Sequence, residues 1–335
     1  MTAAAASEDG CLLLVLSHDE LGVIFDGLAD PLQPVLAVAF SSTCKGLRTP
    51  LVVALFMLTQ RHVRALALCR KLDYVGRDEH DRCCEFEMSV EELRDSKTLH
   101  CDARTLTAAD MATLSMILLT NGLPKLQELH LIGSCRHPGD VVDFGDEAMQ
   151  ALCEGLGGGA APSLRELDCP ELSFGPAGAA SLASALRRGA FPKLESLCLG
   201  KAPIGNQGAI AVAAVLRKLP VLRRLDLGEC RIDDEGVASL VAGLGQDDFR
   251  SLKQFWLDGN RIRDAGCASL IAALNAGALP AIETLYDTEN VACLSNFVSE
   301  EACEAVDAAL LARTGGQGEP EEGEGGDEAG EHNHA

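Results

Sequence analysis

The residues of this 335-residue chain that are best suited to bind a metal are His80, Cys83 and Cys84. Imidazole nitrogen and thiolate sulfur are the usual ligands of structural zinc. However, no C-x-x-C pair and no second histidine pair accompanies them at a spacing that would complete a tetrahedral site. We therefore predict no metal site and interpret these residues as part of a solvated linker.

Two acidic pairs and a glycine-rich segment could serve catalysis, but each has a structural explanation. Asp233-Asp234 and Asp247-Asp248 fall in predicted turns, where carboxylates cap helices. Residues 155–159 are glycine-rich but lack the lysine of a phosphate-binding loop. The chain also lacks the G-x-x-x-x-G-K-[ST], G-x-S-x-G and H-E-x-x-H motifs. The sequence thus predicts a protein that is not an enzyme and has no cofactor.

The acidic pairs and the glycine-rich segment lie within a repeat, because the pattern L-x-x-L-x-L recurs across residues 96–287. Its copies begin at residues 96, 126, 164, 194, 222, 252 and 282, so most steps are close to 30 residues. The step of 38 carries an eight-residue insertion near residues 133–144. Apolar residues at alternate positions predict a short strand, and later i, i+4 pairs such as Leu182/Leu186 predict a helix. Prolines two residues before most copies of the pattern end the preceding helix.

This unit of strand, loop, helix and turn resembles the long, ribonuclease-inhibitor type of leucine-rich repeat over residues 93–312. The resemblance implies an α/β horseshoe solenoid of about seven repeats, with strands lining a concave face and helices forming the convex face. Displaced apolar residues Val306 and Leu310 indicate a C-terminal cap. The central strand residues are expected to stack in one core column: Leu129, Leu167, Leu197, Leu225, Phe255 and Leu285.

Residues 11–60 resemble an F-box, which carries L-P-x-E, I-F-x-x-L and V-C-K-x-W-R elements. Here these become Leu16-Ser17 with Glu20, then Ile24-Phe25 with Leu28, then the stretch from Cys44 to Arg48. Ser17 and Leu47 stand where the family usually has Pro and Trp. The resemblance implies that an adaptor of the cullin-RING ligases docks on Leu16, Leu21, Ile24, Phe25, Leu28, Cys44 and Leu47. The alternative is a plain helical cap over the end of the repeat array.

A candidate partner-binding surface follows from the repeat geometry, because residues beside the central strand leucines point out of the concave face. It comprises Glu128, His130, Glu166, Asp168, Cys198, Arg224, Asp226, Trp256, Asp258 and Tyr286. Trp256 and Tyr286 fall in the same register on neighbouring strands and form a candidate hot spot. The alternative is that the two rings only pack on each other.

Together these resemblances predict a non-enzymatic protein-protein interaction scaffold. Its sharper form is an F-box/leucine-rich-repeat substrate receptor of a cullin-RING ubiquitin ligase, which would bind an adaptor and a substrate protein. The alternative is a Ran-type GTPase-activating or other small-GTPase regulatory leucine-rich repeat protein, in which Asn260 would be the comparable turn asparagine. We expect a monomer in isolation.

The composition of the chain indicates which classes of partner and which cellular compartment to expect. The net charge of -22 disfavours nucleic acid and anionic membranes. No uninterrupted apolar run reaches the length of a membrane span and no secretory signal is evident, so we expect a cytoplasmic or nuclear protein whose fourteen cysteines are reduced. The expected segments are a disordered N-terminus (1–10), the F-box-like segment (11–60), a helical bridge and linker (61–92), the repeat domain (93–312) and an acidic disordered tail (313–335).

Overall fold

A computed structural model describes residues 18–42, 51–77, 83–87, 89–120, 122–133, 144–285 and 297–314. Several sequence predictions fall outside these residues. They concern the N-terminus 1–10, most of the acidic tail, most of the insertion, and the single residues Leu16, Cys44, Leu47, His80 and Tyr286.

Three helices begin the described chain: α1 (His18–Leu28), α2 (Val35–Ser42) and α3 (Val52–Cys69). We call them the N-terminal unit. They enclose a small apolar core of their own, the N-terminal core, formed by Leu21, Phe25, Ala29, Ala37, Leu51 and Leu58. The second half of α3 leaves this core, because Ala65, Leu68 and Cys69 join the larger core of the repeats. Helix α3 therefore connects two separately packed parts.

The linker contains a hairpin that the sequence did not predict. Strands β1 (Asp73–Arg77) and β2 (Cys83–Glu87) pair antiparallel, and Cys83 and Cys84 lie opposite Arg77 and Gly76. Helix α4 (Val90–Asp95) follows. It begins with a capping box, in which Ser89 accepts a hydrogen bond from Glu92 N and the Glu92 side chain accepts one from Ser89 N.

The repeats build a six-stranded parallel sheet in chain order. Its strands are β3 (Thr98–Asp102), β4 (Glu128–Ile132), β5 (Glu166–Asp168), β6 (Ser196–Cys198), β7 (Arg224–Asp226) and β8 (Gln254–Trp256). The helices of this repeat array are α5 (Ala108–Leu119), α6 (Asp146–Glu154), α7 (Pro176–Arg187), α8 (Gly205–Leu216), α9 (Asp234–Val241), α10 (Asp264–Asn275) and α11 (Glu300–Thr314). The seventh copy of the pattern contributes only an isolated bridge from Gln254 to Thr284 within the described residues.

The array core lies between the sheet and the helices. Its central column is buried as predicted, with at most 3% exposure at Leu129, Leu167, Leu197, Leu225, Phe255 and Leu285. Val306 and Leu310 of α11 are also buried in this core, so the last helix covers the end of the array. Most cysteines of the described chain are free thiols, and burial raises the pKa of Cys101 to about 12. Cys303 departs from the expectation of reduced thiols because it is disulfide-bonded.

In several turns that lead into the strands, one residue has a left-handed backbone conformation. Ala161, Phe191 and Phe249 have φ of 47°, 53° and 48°, a region that L-residues rarely adopt. Each of these residues is buried, and its N–H donates to a carbonyl of the preceding repeat, as from Phe249 to Arg217 at 2.8 Å. Burial of the side chain and the bond between repeats offset a backbone cost of about 1–3 kcal/mol.

Helix α3 is long and apolar enough to cross a membrane by length and composition, the one such helix among the described residues. Its two halves are, however, packed into two different protein cores, through Leu58 and through Leu68. Arg61 and Arg64 lie between these residues. Packing accounts for only part of its apolar character, because 22% of the helix is buried and large side chains such as Phe56 and Val53 are exposed.

Candidate functional site

The sheet exposes one face away from the helices, and the parallel register arranges its side chains in two rows. We call this the open sheet face. The row at the start of the strands is Thr98, Glu128, Glu166, Ser196, Arg224 and Gln254. The row at the end of the strands is His100, His130, Asp168, Cys198, Asp226 and Trp256. The candidate surface residues from Glu128 to Trp256 that the sequence named therefore lie side by side in these rows.

Polar contacts join the first three strands of the open sheet face. The rings of His100 and His130 stack, with centroids 4.6 Å apart and planes 11° from parallel. His130 Nδ1 lies 2.9 Å from Asp168 Oδ2, and its Nε2 lies 3.8 Å from Glu128 Oε2. The hydroxyl of Thr98 donates to Glu128 Oε2 at 2.8 Å. This end of the face is a connected cluster of imidazoles and carboxylates.

The pKa values of the two stacked histidines are shifted in opposite directions. The hydrogen bond with the Asp168 carboxylate raises the pKa of His130 above its ordinary 6.5. Burial, and then the charge of His130, lowers the pKa of His100 below 6.5. Burial, and then the charge of Asp168, raises the pKa of Glu166. Near neutral pH the cluster therefore holds its positive charge preferentially on His130.

Three of these side chains could hold a metal ion. One potential ligand atom from each of His130, Glu166 and Asp168 lies within 4.8 Å of the others, and all three side chains are half-buried. These residues were predicted on the binding surface but not as a ligand set. His100 was not predicted, although the weak first copy of the repeat pattern sets that residue beside His130.

Arg224 links the middle of the open sheet face to its aromatic end. Its Nε donates to Ser196 Oγ at 3.0 Å, and a terminal guanidinium nitrogen lies 3.3 Å from Glu166 Oε1. The guanidinium carbon lies 5.9 Å from the ring centroid of Trp256, which is within cation–π range. Arg224 thus lies against the Trp256 ring, while the predicted neighbour of Trp256, Tyr286, lies outside the described residues.

Acidic residues dominate the far end of the rows. The Cys198 thiol donates to Asp226 Oδ2 at 3.0 Å, and Gly228 N donates to Asp226 Oδ1 at 2.8 Å. Burial raises the pKa of Asp226. Asp258 follows β8, and its Oδ1 is buried without a hydrogen-bond partner in the structure. The oxygens of Asp226 are therefore occupied by bonds within the array, and Asp258 Oδ1 is shielded from solvent.

Asn260 supports the turns behind the sheet and is 2% exposed. Its Oδ1 accepts from Ile232 N at 2.9 Å. Its Nδ2 lies within hydrogen-bonding distance of the carbonyl oxygens of Leu227, Leu257 and Asp258. The side-chain amide of Asn260 therefore forms its hydrogen bonds within and between repeats, and its role is structural.

Comparison with known proteins agrees with this geometry over one unit. The family profile for the leucine-rich repeat matches residues 218–241, which include β7 and α9. The chain contains a leucine-rich repeat. The neighbouring strand-and-helix units pair with the matched unit in the same parallel sheet. No curated protein matches the chain.

The second candidate surface lies on the N-terminal unit. Leu21 and Phe25, which the F-box resemblance assigned to adaptor binding, are only 3% and 1% exposed. They fill the N-terminal core, because the amphipathic face of α1 is covered by α2 and α3, so their role is to support the fold of the unit. Leu28 packs partly buried against the same core. Ile24, with 37% exposure, remains accessible to a partner.

Proposed function

We propose that this leucine-rich repeat protein is an interaction scaffold of the F-box type. In this proposal the N-terminal unit docks on an adaptor of the cullin-RING ubiquitin ligases, and the open sheet face, as the concave side of a ribonuclease-inhibitor-like solenoid, holds a substrate protein. Leucine-rich repeats are typically interaction modules rather than enzymes, in line with the match at residues 218–241. A cytoplasmic or nuclear location would suit this role.

The observation that carries the proposal is the separate N-terminal core. A plain cap needs only to cover the apolar end of the array. Residues from the second half of α3 already do this, and Leu32 between α1 and α2 assists them. The rest of the unit, folded around Leu21 and Phe25, extends beyond what a cap requires. An independent core of this kind supports a docking domain.

The surface of the N-terminal unit also favours docking. It exposes large apolar side chains, which bind partners when they cluster on a soluble protein. They are Val23, Ile24, Val35, Leu36, Val38, Val52, Val53, Phe56, Met57 and Val63. The open sheet face differs, since it combines charged side chains with Trp256, the composition of a surface that selects a partner by charge and aromatic anchoring.

The small-GTPase alternative receives no support from its key residue. A turn asparagine that acts near a nucleotide must present its amide to the partner. The Asn260 side chain is instead buried and bonded to Ile232 N and to carbonyl oxygens of the array. We therefore favour the scaffold over the GTPase-activating function.

Co-purification with the F-box-binding adaptor tests the proposal. Ile24→Asp places a charge on the exposed side of α1 and should abolish stoichiometric binding. Val221→Asp is the matched control, because Val221 is 38% exposed, close to the 37% of Ile24, but lies in the repeat array. Adaptor binding that survives Ile24→Asp, or that is lost equally in both variants, would contradict docking through the N-terminal unit.

A further inference from the structure

The cluster at the first strands of the open sheet face contains groups that ligate metals. His130 comes from β4, and Glu166 and Asp168 come from β5. Glu166 and Asp168 are two residues apart on one strand, so both project from the same face. The register sets His130 directly beside Asp168. Backbone pairing, rather than a loop, therefore brings the three groups together.

The distances are close to those of a coordination sphere. The three potential ligand atoms lie within 4.8 Å of one another, and His130 Nδ1 and Asp168 Oδ2 are 2.9 Å apart. Zinc binds nitrogen and oxygen at about 2.0–2.2 Å, which separates neighbouring ligands by about 3.5 Å. Small rotations of half-buried side chains, with no backbone movement, would give this spacing.

The charges around the cluster favour a cation. Glu166 and Asp168 are like charges on one strand, and Glu128 approaches His130 from the other side. Arg224 offsets this charge only in part, from 3.3 Å at one oxygen of Glu166. A divalent ion would take the place of the proton shared between His130 and Asp168 and would bring the two carboxylates of β5 to one centre.

We propose that His130, Glu166 and Asp168 bind a divalent transition-metal ion of the zinc class. One imidazole with two carboxylates suits zinc and its first-row neighbours better than calcium or magnesium, which prefer oxygen ligands alone. Three protein ligands leave a coordination position for water or for a side chain of a bound partner. This site goes beyond the scaffold proposal and does not depend on it, because no residue of the N-terminal unit takes part.

Titration of the full chain with Co²⁺ tests the site. Co²⁺ is the probe because its visible spectrum distinguishes nitrogen and oxygen ligands from thiolates, and the chain has fourteen cysteines. We expect one equivalent with nitrogen and oxygen coordination. His130→Ala and Asp168→Asn should each raise its Kd at least about 10-fold. Arg224→Gln should lower the Kd, because it removes a competing positive charge.

Matched variants provide the controls. His100→Ala removes the stacked histidine, and Asp226→Asn removes a carboxylate from the same row as Asp168 with the same change in net charge. Both variants should retain the nitrogen and oxygen signal and should change the Kd far less than Asp168→Asn does. The site is refuted if His130→Ala binds Co²⁺ as tightly as the wild type does, or if the wild-type spectrum shows thiolate coordination alone. The Co²⁺ titration does not depend on adaptor binding, so failure of the scaffold proposal would not change its outcome.

Discussion

Replacement of Leu58 by alanine is expected to destabilise the N-terminal core, and replacement of Leu68 the array core, although both leucines lie on α3. The two leucines are 2% and 0% exposed and lie less than three turns apart on one helix. Leu58 belongs to the N-terminal core, whereas Leu68 belongs to the array core. Because the substitution and the helix are the same, the pair differs chiefly in the core that loses a side chain.

The magnitude follows from the size of each core. The N-terminal core buries four large apolar side chains, and each contributes about 1.5–3 kcal/mol. Their total is therefore about 6–12 kcal/mol before chain entropy is subtracted. Leu58→Ala removes about 3 kcal/mol, between a quarter and a half of that total. The N-terminal unit should then open locally, while the array core, with its many buried residues, stays folded.

Hydrogen exchange with mass spectrometry measures this difference. In Leu58→Ala, amides of α1 and α2 should lose protection while those of α5 keep it. In Leu68→Ala, by contrast, the amides of α5 should lose protection, because Leu68 is packed in the same core as Met111 and Leu114 of that helix. Equal loss of protection in α5 in both variants would show that the two cores unfold as one cooperative unit, contrary to this prediction.

Three further outcomes are expected. Asn260→Ala should lower the free energy of unfolding, measured in urea, by about 2–4 kcal/mol, because it leaves Ile232 N without its acceptor. The control Asn275→Ala, at an exposed residue, should change this free energy little. Equal effects of the two substitutions would contradict the prediction. Trp256→Ala should weaken a substrate bound on the open sheet face by at least about 2 kcal/mol, or about 30-fold, in calorimetry; unchanged affinity would place the substrate elsewhere. In EDTA, NMR titration should show His130 losing its proton above pH 6.5 and His100 below it, and the reverse order would be contrary to the geometry. Stability from the His130–Asp168 pair should accordingly be full below pH 6.5 and be lost as the pH rises through the elevated pKa of His130.

The rows of the open sheet face could be predicted from the sequence because two periodicities agree. Alternation by two places Glu128 and His130 on one face, and the next copy of the pattern, which resumes after the 38-residue step, places Glu166 and Asp168 beside them. The predicted core column, with Leu225 at its centre, follows from the same rule. Pattern fixes which residues share a face.

An apolar pattern does not determine which element or partner covers a helix face. The apolar side of α1 fits an adaptor, an array end or a private core equally well, and tertiary packing placed Leu21 and Phe25 in a private core. The hairpin of β1 and β2 was missed because charged residues such as Asp73, Arg77 and Glu85 interrupt its short apolar segments. The ligand set at His130 depends on rotamers, which spacing alone does not determine.

The most direct test of the scaffold account is hydrogen exchange of the full chain with and without saturating adaptor. The account predicts slower exchange in α1, α2 and the first half of α3, with no change along β3 to β8. Slower exchange along the sheet strands with none in the N-terminal unit would contradict it, as would identical exchange everywhere.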